Sequence, residues 1–295
     1  MSVDEMRWDI DLRGQVALVT GGGRGLGRLF AQGLAAAGAA VAVTARSGEQ
    51  IAETAALIGN AGGRAIAVAS DVADRASVEQ MVAEVERELG PVDLLVNNAG
   101  SNRAHGALWD VDPELWWRDV EINLRGPFLC TRAVLPGMLR RRRGRVINVA
   151  SAAGLVPGPG TTAYQVSKTA VIRLTDSLAA ETREHGIAVF AIHPGTVYTP
   201  MNEYVLRRDR EYLGGAQGAI RSEAVRQRLL RFARLFEEGR DDPPQPAVRL
   251  VLALASGQAD ALTGRFISVR DDLAELVRRA DEVERDDLYT LKLAR

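Results

Sequence analysis

Cysteine, histidine and long apolar runs are all scarce in this chain. Of 295 residues only Cys130 is a cysteine, so no disulfide can form within the chain. The fold is therefore held by packing, which suits a reducing compartment. The three histidines, His105, His185 and His193, do not sit at ligand spacing, and no Cys/His pair suits zinc. No metal site is expected. No apolar stretch approaches the ~18 residues that cross a bilayer. The Ala-rich run from Leu34 to Ala45 is too short, and Gly38 interrupts it. The first residues, MSVDEMRWDIDLRG, carry four acids and no apolar core, unlike a signal peptide. Excess charge is missing too. A formal net charge of -1 gives nucleic acid or an anionic membrane no electrostatic attraction. These absences predict a soluble, cytoplasmic protein with neither as a partner.

What is present is an alternation. Short β-branched runs at Val16–Thr20, Ala40–Thr44, Ala65–Ala69, Val92–Val96, Arg145–Val149, Ile187–Ile192 and Phe266–Val269 read as seven strands. Segments of helical period lie between them: Arg28–Ala37, Glu49–Ala61, Ser77–Leu89, Asp112–Leu124, Phe128–Arg140, Ala163–His185 and Ala247–Ala255. The strands are almost continuously apolar, as in sheets covered on both faces. The expected fold class is α/β, a doubly wound parallel seven-stranded sheet of Rossmann type in one domain spanning 1–295. Two segments stand apart. Residues 201–246 are charged, end in DDPPQP, and read as a lid-like insertion. Residues 270–295 read as a helical tail, packed on the body or on a neighbouring subunit.

The first strand runs into TGGGRGLG, with five glycines among residues 21–27. The chain must turn sharply there, let its backbone approach a pyrophosphate, and start a helix tight against the sheet. The helix N-terminus then offers free N–H groups and a positive partial charge. Gly21, Gly23, Arg24, Gly25, Leu26 and Gly27 are thus candidate cofactor-binding residues. After the second strand, where an NAD-preferring fold places an acid, this chain has Ala45 and Arg46. A guanidinium binds a 2′-phosphate that a carboxylate would repel. Arg46, helped by Arg24, therefore predicts NADP(H) over NAD(H).

Further motifs follow in order: Asp71-Val72 after the third strand, NNAG ending in Asn98, Ala99 and Gly100, Asn123, Ser151, the pair Tyr164 and Lys168 in TAYQVSKTA, and Pro194-Gly195 with Val197 and Thr199. Over roughly Leu12 to Pro200 the chain resembles the short-chain dehydrogenase/reductase family. The resemblance implies a catalytic tetrad of Asn123, Ser151, Tyr164 and Lys168. It implies adenine contact at Asp71 and Val72, contacts at Asn98, Ala99 and Gly100, and nicotinamide contacts at Pro194, Gly195, Val197 and Thr199. It also implies that Tyr164 and Lys168 touch the cofactor, that Lys168 reaches its ribose, and that Asn123 holds a water behind Lys168. A homodimer or homotetramer is implied through the Phe128–Arg140 and Ala163–His185 helices. His193 departs from the family's usual Asn, and the extended tail departs from its short C-terminus.

Tyr164 and Lys168, four apart, share one helix face. A nearby ammonium favours the phenolate, so the pair predicts a proton donor or acceptor for a carbonyl or alcohol. The substrate is expected to be a small carbonyl or alcohol compound. Ala152, Ala153, Leu155, Val156 and Met201 suggest an apolar site for it. A non-catalytic NADP(H)-binding regulator and a dehydratase or epimerase are alternatives. Trp109, Trp116 and Trp117 read as helix packing. Arg140–Arg143 read as solvated charges complementing a helix C-terminus. The cofactor expectation is tested by kcat/KM with NADPH and NADH: NADPH should be favoured, and an equal or NADH-favouring ratio overturns it.

Overall fold

The computed structural model describes residues 8, 10–213 and 222–292. The strands are β1 (Val16–Thr20), β2 (Ala40–Ala45), β3 (Arg64–Ala69), β4 (Leu94–Asn97), β5 (Gly144–Val149), β6 (Ile187–His193) and β7 (Phe266–Ser268). They pair in parallel in the order β3-β2-β1-β4-β5-β6-β7. β1 is buried along its whole length, whereas edge strand β3 is partly exposed. The order reverses between β1 and β4, and a ligand crevice is expected at that switch point, beyond the strands' C-terminal ends.

Helices α1 (Gly25–Ala36), α2 (Gly48–Asn60) and α9 (Gln245–Ala255) cover one face, meeting the sheet through Phe30, Leu34, Ile51 and Val251. Helices α3 (Arg75–Glu88) and α5 (Gly126–Arg141) cover the other through Met81, Val85, Val134 and Met138. Cys130 is buried there, and burial pushes its thiol up to about 12, too high for a nucleophile. No helix among the described residues is long and apolar enough to cross a membrane.

The expected helix 112–124 is shorter than its periodicity suggests. α4 (Pro113–Val120) begins on an Asp112 cap, whose Oδ1 accepts from Glu114 N at 2.8 Å. It passes into a widened π turn, Glu121–Arg125, and then α5. Pro127 has no N–H, so the ordinary bond to the Asn123 carbonyl four residues back cannot close, and the register widens. α6 (Thr162–Thr182) follows β5 as expected. Trp116 packs, donating its Nε1–H to Thr162 Oγ1 at 3.0 Å. Trp117 meets the Trp116 ring edge-on, centroids 4.9 Å apart, yet is 60% exposed, and Trp109 is 68% exposed.

The expected insertion contains α7 (Pro200–Leu213) and α8 (Glu223–Glu237), while its residues 214–221 lie outside the described residues. So do residues 1–7 and 9 of the N-terminal stretch and 293–295 of the tail. α7 is pinned to the loop after β4: His105 Nδ1 lies 2.9 Å from Asp209 Oδ1, and both side chains are almost fully buried. Val225 and Leu229 of α8 pack with Ala107 of the same loop. The tail packs on its own chain. It forms α10 (Leu273–Arg278) and α11 (Ala280–Arg285), buries Val283, and accepts at Tyr289 O from Phe266 N at 2.9 Å. That bond covers the outer edge of β7.

A polar ladder crosses the sheet interior. Asn97 and Asn148 are register partners on β4 and β5. Asn97 Nδ2 donates to Asn148 Oδ1 at 2.8 Å and to Thr131 Oγ1 at 3.1 Å; Asn148 Nδ2 donates to Thr175 Oγ1 at 2.9 Å. Both asparagines are buried. Truncating one leaves its partners short of bonds in a dry interior, at about 1–3 kcal/mol. Asn148→Ala should lower the urea-unfolding free energy by about 2 kcal/mol or more. A change of under ~0.5 kcal/mol, the size of ordinary surface substitutions, would show that the ladder is not structural.

Candidate active site

The crevice at the switch point is built on a close approach of backbones. Thr20 Oγ1 accepts from the N–H groups of Asn98 and Ala99, both at 3.0 Å. Asn98 Nδ2 donates to the Thr20 carbonyl at 3.0 Å and the Gly21 carbonyl at 3.2 Å. This locks the end of β4 to the glycine loop. A Cβ on Gly27 would stand 2.3 Å from the Gly21 oxygen and 2.4 Å from Asn98 Nδ2, so no side chain fits. Gly21 and Gly25 also hold φ of +65° and +56°. Arg28 closes the loop from behind, its Nη2 donating to Gly23 O at 2.6 Å.

Beyond the loop lies a cavity of about 1160 Å³. Every expected cofactor residue lines it: Gly21, Gly23, Arg24, Gly25, Leu26, Gly27, Arg46, Asp71, Val72, Asn98, Ala99, Gly100, Pro194, Gly195, Val197 and Thr199. Asp71 accepts from Ala73 N at 3.0 Å and from Arg118 Nη2 at 2.5 Å. Burial works to raise its pKa, but these bonds and the charges of Arg118 and Arg46 hold it below the usual carboxylate value. Arg24 and Arg46 are both exposed at this end.

Ser151, Tyr164 and Lys168 line the same cavity, and Asn123 stands behind it. Lys168 Nζ donates to the Val149 carbonyl at 2.6 Å and lies 5.5 Å from the Tyr164 ring centroid. Asn123 is fully buried. Its Oδ1 accepts from Ser101 N, and its Nδ2 donates to Ser101 O, both at 2.7 Å. A third bond, Nδ2 to Ser167 Oγ at 3.1 Å, ties it to α6, where Ser167 Oγ donates to Tyr164 O. The π turn thus aims Asn123 at the backbones flanking the site.

The arrangement has close relatives. A family model described as short chain dehydrogenase matches residues 15–210. The chain belongs to the short-chain dehydrogenase family. A short chain dehydrogenase of Pseudocercospora fijiensis is 34% identical over 97% of this chain and 92% of its own length. A galactitol 2-dehydrogenase of Rhizobium johnstonii is 37% identical over 88% of this chain and 94% of its own. A solved structure of an actinorhodin polyketide ketoreductase variant with NADPH superposes with TM-score 0.75 at 34% identity. It covers 86% of this chain and 95% of that one. This short-chain dehydrogenase is accordingly an oxidoreductase acting on a CH–OH/C=O pair with a nicotinamide dinucleotide.

The electrostatics refine the expected Tyr–Lys pairing. Burial pushes the Tyr164 phenol above its ordinary pKa; a hydrogen bond with Ser151 opposes this, and the charge of Asp119 adds to it. The lysine is not among these causes, and the shift runs upward rather than toward the phenolate that helix spacing alone suggests. The lysine is the softened partner: burial lowers Lys168 from 10.5 to about 8.

Of the expected apolar lining, only Met201 is at the cavity. Ala152, Ala153, Leu155 and Val156 are not, and Leu155 and Val156 are 48% and 61% exposed. Ser101, Asn102, Arg103, Tyr198, Tyr204 and Arg207 line it instead. Asp119, which sequence reasoning missed, shapes this wall. It is buried and accepts from Ser101 Oγ at 2.5 Å, Arg103 N at 2.6 Å and Ala104 N at 2.9 Å. An acid just after a tryptophan pair on a helix gave no hint of a loop anchor. His193 ends β6 at the cavity. Burial lowers its pKa, with Arg270 adding and Asp242 opposing. Asp242 Oδ2 accepts from Thr196 N at 2.7 Å and Arg270 Nη2 at 3.1 Å, so the insertion's end and the tail together fix the 194–199 loop.

The lysine yields a pH prediction. Below about pH 8 the folded protein carries the buried ammonium at full cost. From there to 10.5 the unfolded chain binds more protons, so Lys168's contribution to stability rises with pH. Between pH 7 and 10 the wild type should gain about 2 kcal/mol on Lys168→Met in urea unfolding. A difference independent of pH overturns the assignment.

Proposed function

We propose that this short-chain dehydrogenase interconverts a ketone and a secondary alcohol, uses NADP(H) in preference to NAD(H), and employs Tyr164 as general acid and base. The observation that carries this reading is that Tyr164 and Ser151 share one cavity with Lys168 and the glycine loop. The cradle fits a dinucleotide. Gly21 and Gly27 let the loop close against the end of β4 where any side chain would clash, and α1 begins in that loop, where its free N–H groups favour a pyrophosphate. Gly21–Gly27 and Asn98–Gly100 would hold the phosphates and adjoining ribose. Asp71 and Val72 would hold the adenine, and Pro194–Thr199 the nicotinamide end. Ala45 leaves no carboxylate at the end of β2 to repel a 2′-phosphate, and Arg46 and Arg24 supply cations there. The relative solved with NADPH supports the same preference.

Bound in this cradle, the nicotinamide supplies or takes the hydride. The chain's own residues handle the proton. In reduction, Tyr164 Oη–H donates to the carbonyl oxygen, and Ser151 Oγ–H holds that oxygen in place. A phenol that keeps its proton at rest is poised as the acid. In oxidation the same oxygen accepts the alcohol proton. Lys168, softened to about 8, lies near enough to neutrality to restore or remove charge behind the phenol. Asn123 positions α6 through Ser167, and the loop after β4 through Ser101.

Tyr164→Phe removes the proton and keeps the ring. Turnover of any ketone that the wild type reduces, followed by nicotinamide absorbance, should fall by ~10²-fold or more, while NADPH still binds by fluorescence titration. Retained activity would remove Tyr164 from the chemistry.

A further inference from the structure

The wall that faces the substrate is cationic. α7 starts at the glycine loop, where Pro200 Cδ lies 3.5 Å from a Cβ built on Gly25. It passes Gly100, whose built Cβ lies 3.3 Å from Met201 Cε, and reaches the 101–105 loop, where Asp209 holds His105. The helix thus runs away from the phosphate cradle. At 1.5 Å per residue, Arg207 and Arg210 lie ~10 and ~15 Å along it from Pro200. Arg103 approaches from the facing loop, its backbone N–H held by Asp119. The Arg103 and Arg207 guanidinium carbons lie 5.7 Å and 5.5 Å from the centroid of the same Tyr204 ring. All three arginines line the cavity and are exposed.

None of the three forms an ion pair with a carboxylate among the described residues, although arginines elsewhere on the surface, such as Arg28, Arg118 and Arg145, do. Glu203 lines the same wall, nearer the start of α7, and is not paired with them either. Two guanidinium groups gathered on one phenol ring repel each other. An anion between them would relieve that repulsion with charge-assisted, bidentate bonds. The NADP(H) 2′-phosphate is not that anion in this reading, because Arg46, the cation proposed for it, follows β2, which lies across β1 from β4 and the Arg103 loop.

Resting on the reading above, we propose that Arg103, Arg207 and Arg210 form an anion subsite at the substrate end of the cavity. The substrate is then a ketone or alcohol that bears a carboxylate or phosphate remote from its reacting carbon. Tyr204 is the platform that holds Arg103 and Arg207 in register.

The experiment has two arms. In the turnover arm, NADPH-dependent reduction is measured for a series of oxo-acids of increasing length and their methyl esters. The best acid should exceed its ester in kcat/KM by about tenfold or more, the effect of ~1.4 kcal/mol. In Arg103→Ala/Arg207→Ala the acid-to-ester ratio should collapse towards one, and Arg207→Lys should retain part of it. An acid and ester used equally by the wild type, or a ratio unmoved in the double variant, overturns the proposal. So does a rise in the KM for NADPH that accounts for the loss with both substrates. The binding arm needs no turnover. Adipate, dimethyl adipate and butyl phosphate are compared as stabilisers against thermal unfolding in saturating NADPH. Arginine-dependent stabilisation by adipate or butyl phosphate supports the subsite and tells carboxylate from phosphate. Equal effects of adipate and its ester overturn it. If the anion binds in this way while no ketone is reduced, the subsite stands and the carbonyl-reductase reading falls.

Discussion

The site depends on one junction, the contact between the glycine loop and the end of β4. Asn98 and Thr20 exchange four hydrogen bonds' worth of backbone and side-chain contacts with Gly21 and Ala99 across the switch point. Gly27 must come so close to the Gly21 carbonyl for this to happen that an added Cβ would stand 2.3 Å from its oxygen. The phosphate cradle, the opening of α1 and the start of the substrate loop all take their positions from it. Just behind it, the Asn97–Asn148 ladder fixes β4 against β5, and so sets the glycine loop relative to Ser151.

From that frame the four residues proposed as catalytic are placed by elements of different stiffness. Tyr164 and Lys168 ride on a long helix, and Ser151 follows a central strand. Asn123 sits on a π turn that a proline forces on the chain, and it uses its whole carboxamide to hold Ser101 and Ser167. The result is a half-buried phenol whose pKa is pushed up, beside a buried lysine whose pKa is pushed down to about 8. The substrate wall is supplied separately, by the loop after β4 and the insertion, pinned together by the buried His105–Asp209 pair.

Much of this was legible in the residues. Strand positions followed from continuous β-branched runs, and the largest shift was at β4, which begins at Leu94 rather than Val92. The glycine loop was legible because only close backbone approach calls for so many glycines between a strand and a helix. The expected cofactor residues all line one cavity. Helix periodicity could not register the π turn at 121–125, because the cause is a missing N–H at Pro127 rather than a change in apolar pattern. Trp109 and Trp117 misled for a related reason: an aromatic residue carries no sign of whether it meets the core, and Trp109 lies in a turn before α4 while Trp117 is mostly exposed on it.

By itself, the sequence determined the sheet, the glycine loop and the placing of Tyr164 and Lys168 on one helix face, because each rests on local spacing: strand runs, glycine steps, a Tyr and a Lys one helical turn apart. Tertiary structure alone decided the character of the cavity wall formed by the loop after β4 and α7. Ala152, Ala153, Leu155 and Val156 neighbour Ser151 in sequence yet miss the cavity, whereas Arg103, Tyr204 and Arg207 reach it from segments about a hundred residues apart. It also decided the setting of the Tyr164 phenol, whose pKa burial, which no spacing records, pushes above its ordinary value.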